Sequence, residues 1–381
     1  SVSKAMAFES VREAARGQTV YFNAWGGSTQ INDYIAWVAD EVADHFDIEL
    51  VHVKVTDTSE AVSRVLAEKA AGHTSGGSVD LVWINGKNFL AMKESDLLYG
   101  PFAFDLPNFQ LVDTAGKPTT LIDFTEPTDG LESPWGTAQF VLIHDSASLP
   151  EPPSDLETLA SWVQDNPGRF TFPSPPDFIG ATFLKHVLHA AVDDPVILNA
   201  APDPATAAEQ LAPVWAWLDE LQPALWRGGR AFPASGPALH QLFEDGEVDL
   251  TMAFNPAEAS SLVLEGRFPE TTRSYALEDG SIGNTHFVAI PFNSDATEAA
   301  RVVADFLLSP EAQARKQDPQ YWGDFTVLDR DALEPAVRGL FEAIELHPAT
   351  LPPDQLGDTL VEPHAAWMDL IEDGWRQRYG S

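Results

Sequence analysis

Trp25-Gly26-Gly27-Ser28 ends an apolar run and opens a helical one, and these residue types suit recognition better than bond-making. Glycines let a backbone approach a ligand closely. A helix beginning after Ser28 offers unpaired N–H groups and a partial positive charge. Trp25 supplies a flat wall for a ring or a cation. The same four residues would also make a tight strand-to-helix turn with Trp25 packed inward. Asn85 and Lys87 form a second polar loop, in which Asn85 combines donor and acceptor and Lys87 could meet an anionic group or remain solvated. Trp135 and Gln139 sit on one long strand, and Asn284 and Thr285 on another. Ser174 and Phe178 stand at a helix start that could face a ligand as Ser28 does. Asn255 lies just past a strand end. Trp226-Arg227 and Tyr321-Trp322 are further aromatic candidates, each open between ligand contact and packing. Glu258 or Asp324 could balance a cation, or be solvated acids.

Bond-making chemistry is less visible. The ten histidines include no HExxH and no close pairing with a carboxylate, and no GxSxG elbow occurs. The loop "AWGGSTQ" does not match GxGxxG, and no phosphate-binding P-loop is present. With no cysteine, thiol catalysis, disulfides and thiolate metal sites are excluded. No catalytic residue, metal or cofactor is expected. A glycosidase needs two placed carboxylates, and 58 acids mark none in particular. A carbohydrate-active hydrolase using a carboxylate pair therefore stands as the alternative.

The elements that must position these residues alternate. Residues 18–24 read as a strand. Ser28 reads as an N-cap, and Ile31, Tyr34, Ile35, Val38, Val42 and Phe46 follow at helical spacing. Strands at 48–55 and 79–84 enclose a helix at 61–71, and a short helix follows "NGKNF". Such a β-α-β-α-β run predicts a parallel sheet covered on both faces, with ligands beyond the strands' carboxyl ends, where Trp25 and Asn85 sit. Residues 99–133 look irregular, and a long strand spans 134–145. A second α/β unit follows, with a helix "SDLETLASWVQD" at 154–165, a strand "RFTFP", helices after Pro176, near 205–222 and near 236–245, a strand "VDLTMAF" and a helix after Pro256. A strand at 283–291, helices near 294–308 and 309–317, and a terminal helix with Leu360, Val361, Trp367, Met368, Ile371 and Trp375 on one stripe complete the chain. Two α/β units joined by two long strands make a hinge around a cleft.

Length and composition agree with two domains. The chain has 381 residues, 44% hydrophobic, with 11 Trp and 22 Phe. No window reaches the ~20 apolar residues of a spanning helix. With Asp+Glu 58 against Lys+Arg 22, the net charge of −36 repels phosphate backbones, so no nucleic-acid partner is expected. The acids are dispersed through helices, which suits solubility in high salt.

Four stretches, "VYFNAWGGSTQIND", "VDLVWINGKNF", "FEDGEVDLTMAFNPAEAS" and "AARVVADFLLSPEAQARKQ", resemble the extracytoplasmic solute-binding proteins of bacterial ABC importers. "YWGDFTVLD" and "WRGGRAFPASGPALHQLF" resemble the thiamine-type group among them. The resemblance implies a two-lobed periplasmic-binding-protein fold (type II), each lobe a mixed sheet flanked by helices. Lobe 1 is expected at 18–138 plus 286–325 and lobe 2 at 139–285 plus 326–381, with the ligand cleft between. It further implies a monomer that captures a small polar solute, thiamine-like or another organic cation, and delivers it to an ABC permease and its ATPase. The setting would be periplasmic or extracytoplasmic, with an export signal removed. Iron binders of the superfamily favour adjacent tyrosines, whereas the six tyrosines here are isolated.

Overall fold

The computed structural model describes residues 2–380. The chain forms two compact units, the first running up to Thr137 and again over Thr285–Glu345, the second over Ala138–Asn284 and from Leu346 onward. Unit 1 begins with α1 (Val2–Ala15), β1 (Thr19–Trp25), α2 (Thr29–Phe46), β2 (Glu49–Val55), α3 (Ser59–Ala70), β3 (Leu81–Ile84) and α4 (Gly86–Glu94). A hairpin of β4 (Ile122–Asp123) and β5 (Glu126–Pro127) follows, and β6 (Glu132–Gln139) carries the chain into unit 2. There it forms β7 (Val141–Asp145), α5 (Leu156–Asp165), α6 (Phe178–Ala191), α7 (Ala207–Leu221), α8 (Gly236–Glu244), β8 (Leu250–Ala253), α9 (Glu258–Leu264) and β9 (Thr272–Tyr275). The strand β10 (Ser281–Ala289) returns it to unit 1 for α10 (Thr297–Leu307), α11 (Pro310–Gln317) and α12 (Pro335–Glu342). The chain then re-enters unit 2 for β11 (Thr359–Val361) and α13 (Ala366–Tyr379).

In unit 1, β1 pairs in parallel with β2 and β3, and the C-terminal half of β10 pairs antiparallel with β3, Phe287 opposite Ile84. Because side chains alternate across a strand, this sheet feeds two cores. Leu81, Val288 and Ile290 join Phe22, Val38 and Trp135 on one face. Val82, Ile84, Phe287 and Ala289 join Val65, Phe89 and Met92 on the other. Each such buried side chain contributes about 1.5–3 kcal/mol. The last passage out of unit 1 comes after Glu345, later than the expected residue 325. The reason is packing: Leu333 and Phe341 are buried in the first core, and the Arg330 guanidinium lies 5.4 Å from the Phe341 ring.

Unit 2 is less parallel than its sequence suggests. Its β7 is flanked by β8 and β9, both antiparallel. The expected strand "RFTFP" joins no ladder. Phe170 accepts from Trp226 N and Arg169 from Asp249 N, while Pro173, Pro175 and Pro176 lack the donors a strand needs. The long strand at 134–145 divides into β6 and β7. Strand β9 is short and polar, "TRSY", and gave no period to read. The terminal stripe also divides: Leu360 and Val361 belong to β11, parallel to the start of β10, and α13 begins only at Ala366. Pro363 disfavours helix in the residue before it and separates the two.

Candidate functional site

In unit 1, β1 and β3 are parallel neighbours, so their carboxyl ends leave the sheet together. Trp25, the last residue of β1, is 39% exposed, and its ring lies against Gly27, where any Cβ would collide with the indole. A bare Gly27 is therefore what allows that ring position. Gly26 donates to Val55 O at 3.1 Å, and a Cβ there would meet the Lys54 side chain. Ser28 caps α2 as its type predicts, its Oγ accepting from Ile31 N at 3.3 Å. Gln30 Nε2 donates to Pro319 O at 2.8 Å and so joins the first turn of α2 to the loop that carries Tyr321. Tyr321 is 38% exposed, and the Arg315 guanidinium stacks 3.8 Å from its ring centroid and 4.6 Å from that of Trp37. At the end of β3, half-buried Asn85 precedes α4 without a side-chain capping bond, and Lys87 is exposed two residues on. Unit 1 thus gathers Trp25, Gly26, Gly27, Ser28, Asn85 and Lys87 at one sheet edge.

Trp322 points the other way from its neighbour Tyr321. It is buried against Trp83 (5.5 Å), Trp135 (5.3 Å) and Tyr34 (5.3 Å). Trp135 is wholly buried and meets Trp83 edge-on at 5.2 Å, so it walls an internal aromatic box instead of lying on a surface. The box holds a cation of the protein's own: Lys316 Nζ lies 4.4 Å from the Trp135 centroid and 4.1 Å from that of Trp322. Lys316 also donates to Asp324, and His286 Nε2 lies 2.7 Å from Asp324 Oδ2. Lys316 is 1% exposed and Asp324 2%. Burial pushes the lysine down to about 8 against the pull of Asp324. It likewise lowers His286, against the pull of Asp324. Burial acts to raise Asp324, but His286 and Lys316 outweigh it and keep the carboxylate below its usual range. Asp324 is thus neither a solvated acid nor a partner awaiting a ligand's charge.

Unit 2 holds the remaining candidates, and links Phe178 to Asn284 through Lys185 and Glu362. The N-cap of α6 is Asp177, not Ser174: its carboxylate accepts from Ile179 N (2.9 Å), Gly180 N (3.2 Å) and, from the start of α8, Gly236 N (3.3 Å). Ser174 instead bonds to Pro233 O through its backbone N–H. Phe178 packs edge-on against Phe254 at 5.1 Å, with Lys185 Nζ 5.6 Å from its ring. Asn284 donates to Glu362 at 3.1 Å, and Glu362 pairs with buried Lys185 at 2.8 Å. Asn255 accepts from Ala257 N and turns the chain toward α9. Trp226 donates to Glu247 at 2.9 Å with Arg227 stacked 4.3 Å from its ring. Glu258 faces His240 at 3.4 Å. Among the described residues, no three His, Asp or Glu side chains are grouped to hold a metal.

Residues 36–331 match the family described as bacterial extracellular solute-binding protein. This chain belongs to that family. It is also 44% identical over 375 residues to Protein YnjB of Escherichia coli (strain K12), covering 98% of this chain and 94% of that one. Among solved structures, an ABC transporter from Clostridium perfringens matches with a TM-score of 0.65 at 15% identity over 94% of this chain and 98% of that one. The spermidine/putrescine ABC transporter substrate-binding protein PotD from Streptococcus pneumoniae matches at 0.64 and 16%, with the same coverage. At such identities these structures show the fold, that of periplasmic binding proteins. As a member of the bacterial extracellular solute-binding family, the chain works outside the cytoplasm and binds a solute. None of its described helices is long and apolar enough to cross a membrane.

The solute-binding chain carries its aromatic box on residues the sequence marked unevenly. Trp135 and Trp322 stood out by type, whereas Lys316 and His286 did not. The box explains the stretch Ser-Pro-Glu-Ala-Gln: Ser309 caps α11, and buried Gln313 donates to Trp135 O and Leu307 O at 2.8 Å each. Gly136 passes so close to the charged cluster that a Cβ would meet Asp324 Oδ2, Lys316 Nζ and His286 Nε2. Gly136→Ala is therefore expected to cost about 1–3 kcal/mol, as overpacking does. Urea unfolding followed by near-ultraviolet dichroism reads this directly, and an unchanged midpoint would contradict the placement.

Proposed function

We propose that the solute is a small organic cation with a flat ring, thiamine-like in kind. The observation that carries this reading is Trp25, an exposed indole held across Gly27 at the end of β1. A cation on such a face gains about 0.5–2 kcal/mol, more as water is excluded. The helix starts around the candidates favour an anion less than their sequence suggests. Ser28, Asp177 and Ser235 each accept N–H bonds of the first turn that they cap, and Asp177 brings a negative charge as well. A net charge of −36 draws cations and repels anions. Two similar structures are spermidine/putrescine transporter proteins, which supports a positively charged solute without naming it. On this reading the protein binds and releases its solute and makes no bond in it.

Mass spectrometry of small molecules released from denatured, natively purified protein tests the class. The expected find is an organic cation, and thiamine added at a hundred times its dissociation constant would stabilise the fold by about 2.7 kcal/mol. A sugar or an anion in the released fraction, with no thermal shift from any organic cation, would overturn the proposal.

A further inference from the structure

Beneath the first turn of α4, the hairpin β4–β5 and the start of β6 bring two acids together. Asp123 and Glu132 are both buried, and Asp123 Oδ1 accepts the N–H of Gly86 at 2.8 Å. Gly86 has φ +57°, and a Cβ there would press on the Phe124 ring at 3.3 Å, so glycine fits this turn where other residues strain it. Among the described residues no donor reaches either oxygen of Glu132, and its polar contact is the Asp123 carboxyl. Two carboxylates offer one another only acceptors, so that contact is a hydrogen bond only while one of them holds a proton. Glu132 is an acid shifted upward: burial, then the charge of Asp123, push it well above the ordinary range, with Lys93 opposing. The Lys93 ammonium is itself engaged by Glu126 (2.8 Å), Asp129 (2.8 Å) and Pro127 O (2.7 Å). Glu126 on the hairpin, Asp129 in the loop after it, and Lys93 and exposed Lys87 on α4 are among the charged groups of the elements around the pair.

We propose that Asp123 and Glu132 form a carboxyl pair latched by one shared proton, which fixes Gly86 and with it the first turn of α4. When the proton leaves, two like charges face each other away from water and the turn loosens. The sign follows from the acid being the group shifted upward. The folded protein keeps a proton that the unfolded chain gives up near an ordinary glutamate value. The latch therefore stabilises most at low pH and weakens as pH rises toward the folded value. Nothing in this inference depends on which solute is bound.

Carboxyl carbon-13 NMR of Glu132, combined with amide exchange at Gly86, tests it. The expected result is a neutral Glu132 at pH 7 and a Gly86 amide that loses protection with rising pH faster than the later amides of α4. In Glu132→Gln the side-chain amide replaces the shared proton, so the extra loss disappears and the protein melts higher than wild type at pH 8. A Glu132 that ionises in the ordinary glutamate range, or a Gly86 slope identical in both proteins, would overturn the latch. The NMR titration uses the wild-type chain alone, so a variant that folds poorly does not stall the test.

Discussion

Replacing Lys316 with methionine lowers the stability of unit 1 by about 3–5 kcal/mol, and most of that loss returns when Asp324→Asn is added. The single change strips a buried carboxylate of its ammonium partner, since Asp324 is 2% exposed and is left with His286. Methionine nearly fills the space and keeps its thioether against Trp135 and Trp322, so the cost comes from the orphaned charge and not from a void. The second change removes that charge while leaving His286 a hydrogen-bond partner. A double-mutant cycle in urea, read by near-ultraviolet dichroism of the box tryptophans, separates these contributions. Because there are two units, the transition is to be fitted for two steps before one free energy is quoted. The same pair gives a pH signature. Lys316 is depressed to about 8 in the folded chain, while the unfolded chain holds that proton until about 10.5. Between those values the unfolded state binds more protons, so wild-type stability gains up to about 1.4 kcal/mol per pH unit relative to Lys316→Met. A Lys316→Met variant within about 1 kcal/mol of wild type, with no difference in pH slope, would show that the box does not hold a charged lysine.

Trp25→Ala separates binding from folding in the opposite sense. The indole is 39% exposed, so its removal costs little stability, about 1 kcal/mol or less. If the exposed ring is the wall against which the solute stacks, its loss costs at least about 2 kcal/mol of affinity, roughly a 30-fold rise in the dissociation constant. Trp25→Phe keeps a ring face and should retain most of the binding. Calorimetry with the solute recovered from the native protein gives the affinity, and a thermal melt of the free variant gives the control. Unchanged affinity in Trp25→Ala, with normal folding, would remove this residue from the site and with it the main support for a ring-bearing ligand.

What could be read in the chain follows from which interactions are local. Helix starts were legible because a cap is made within one turn: Ser28 and Ser309 are both caps, and each bonds three residues ahead. The strands β1, β2, β3, β8 and β10 were legible because apolar runs of that length bury whichever partner they find. The antiparallel order around β7 was not, since strand direction depends on where the partner lies and not on the strand's own residues. "RFTFP" shows the converse, where a strand-like pattern joins no ladder for want of prolyl donors.

The sequence by itself determined the family, the alternating elements and the strand-to-helix turn after Trp25, because each is carried by residues adjacent in the chain. Only the tertiary structure decided the use of the charges. Lys316 and Asp324 lie near one another in sequence, but His286, Trp83, Trp135 and Gly136 reach them from distant strands, and Glu132 meets Asp123 through a hairpin. The energy of a buried charge depends on what replaces water around it, and those replacements come from strands and loops that sequence order does not bring together.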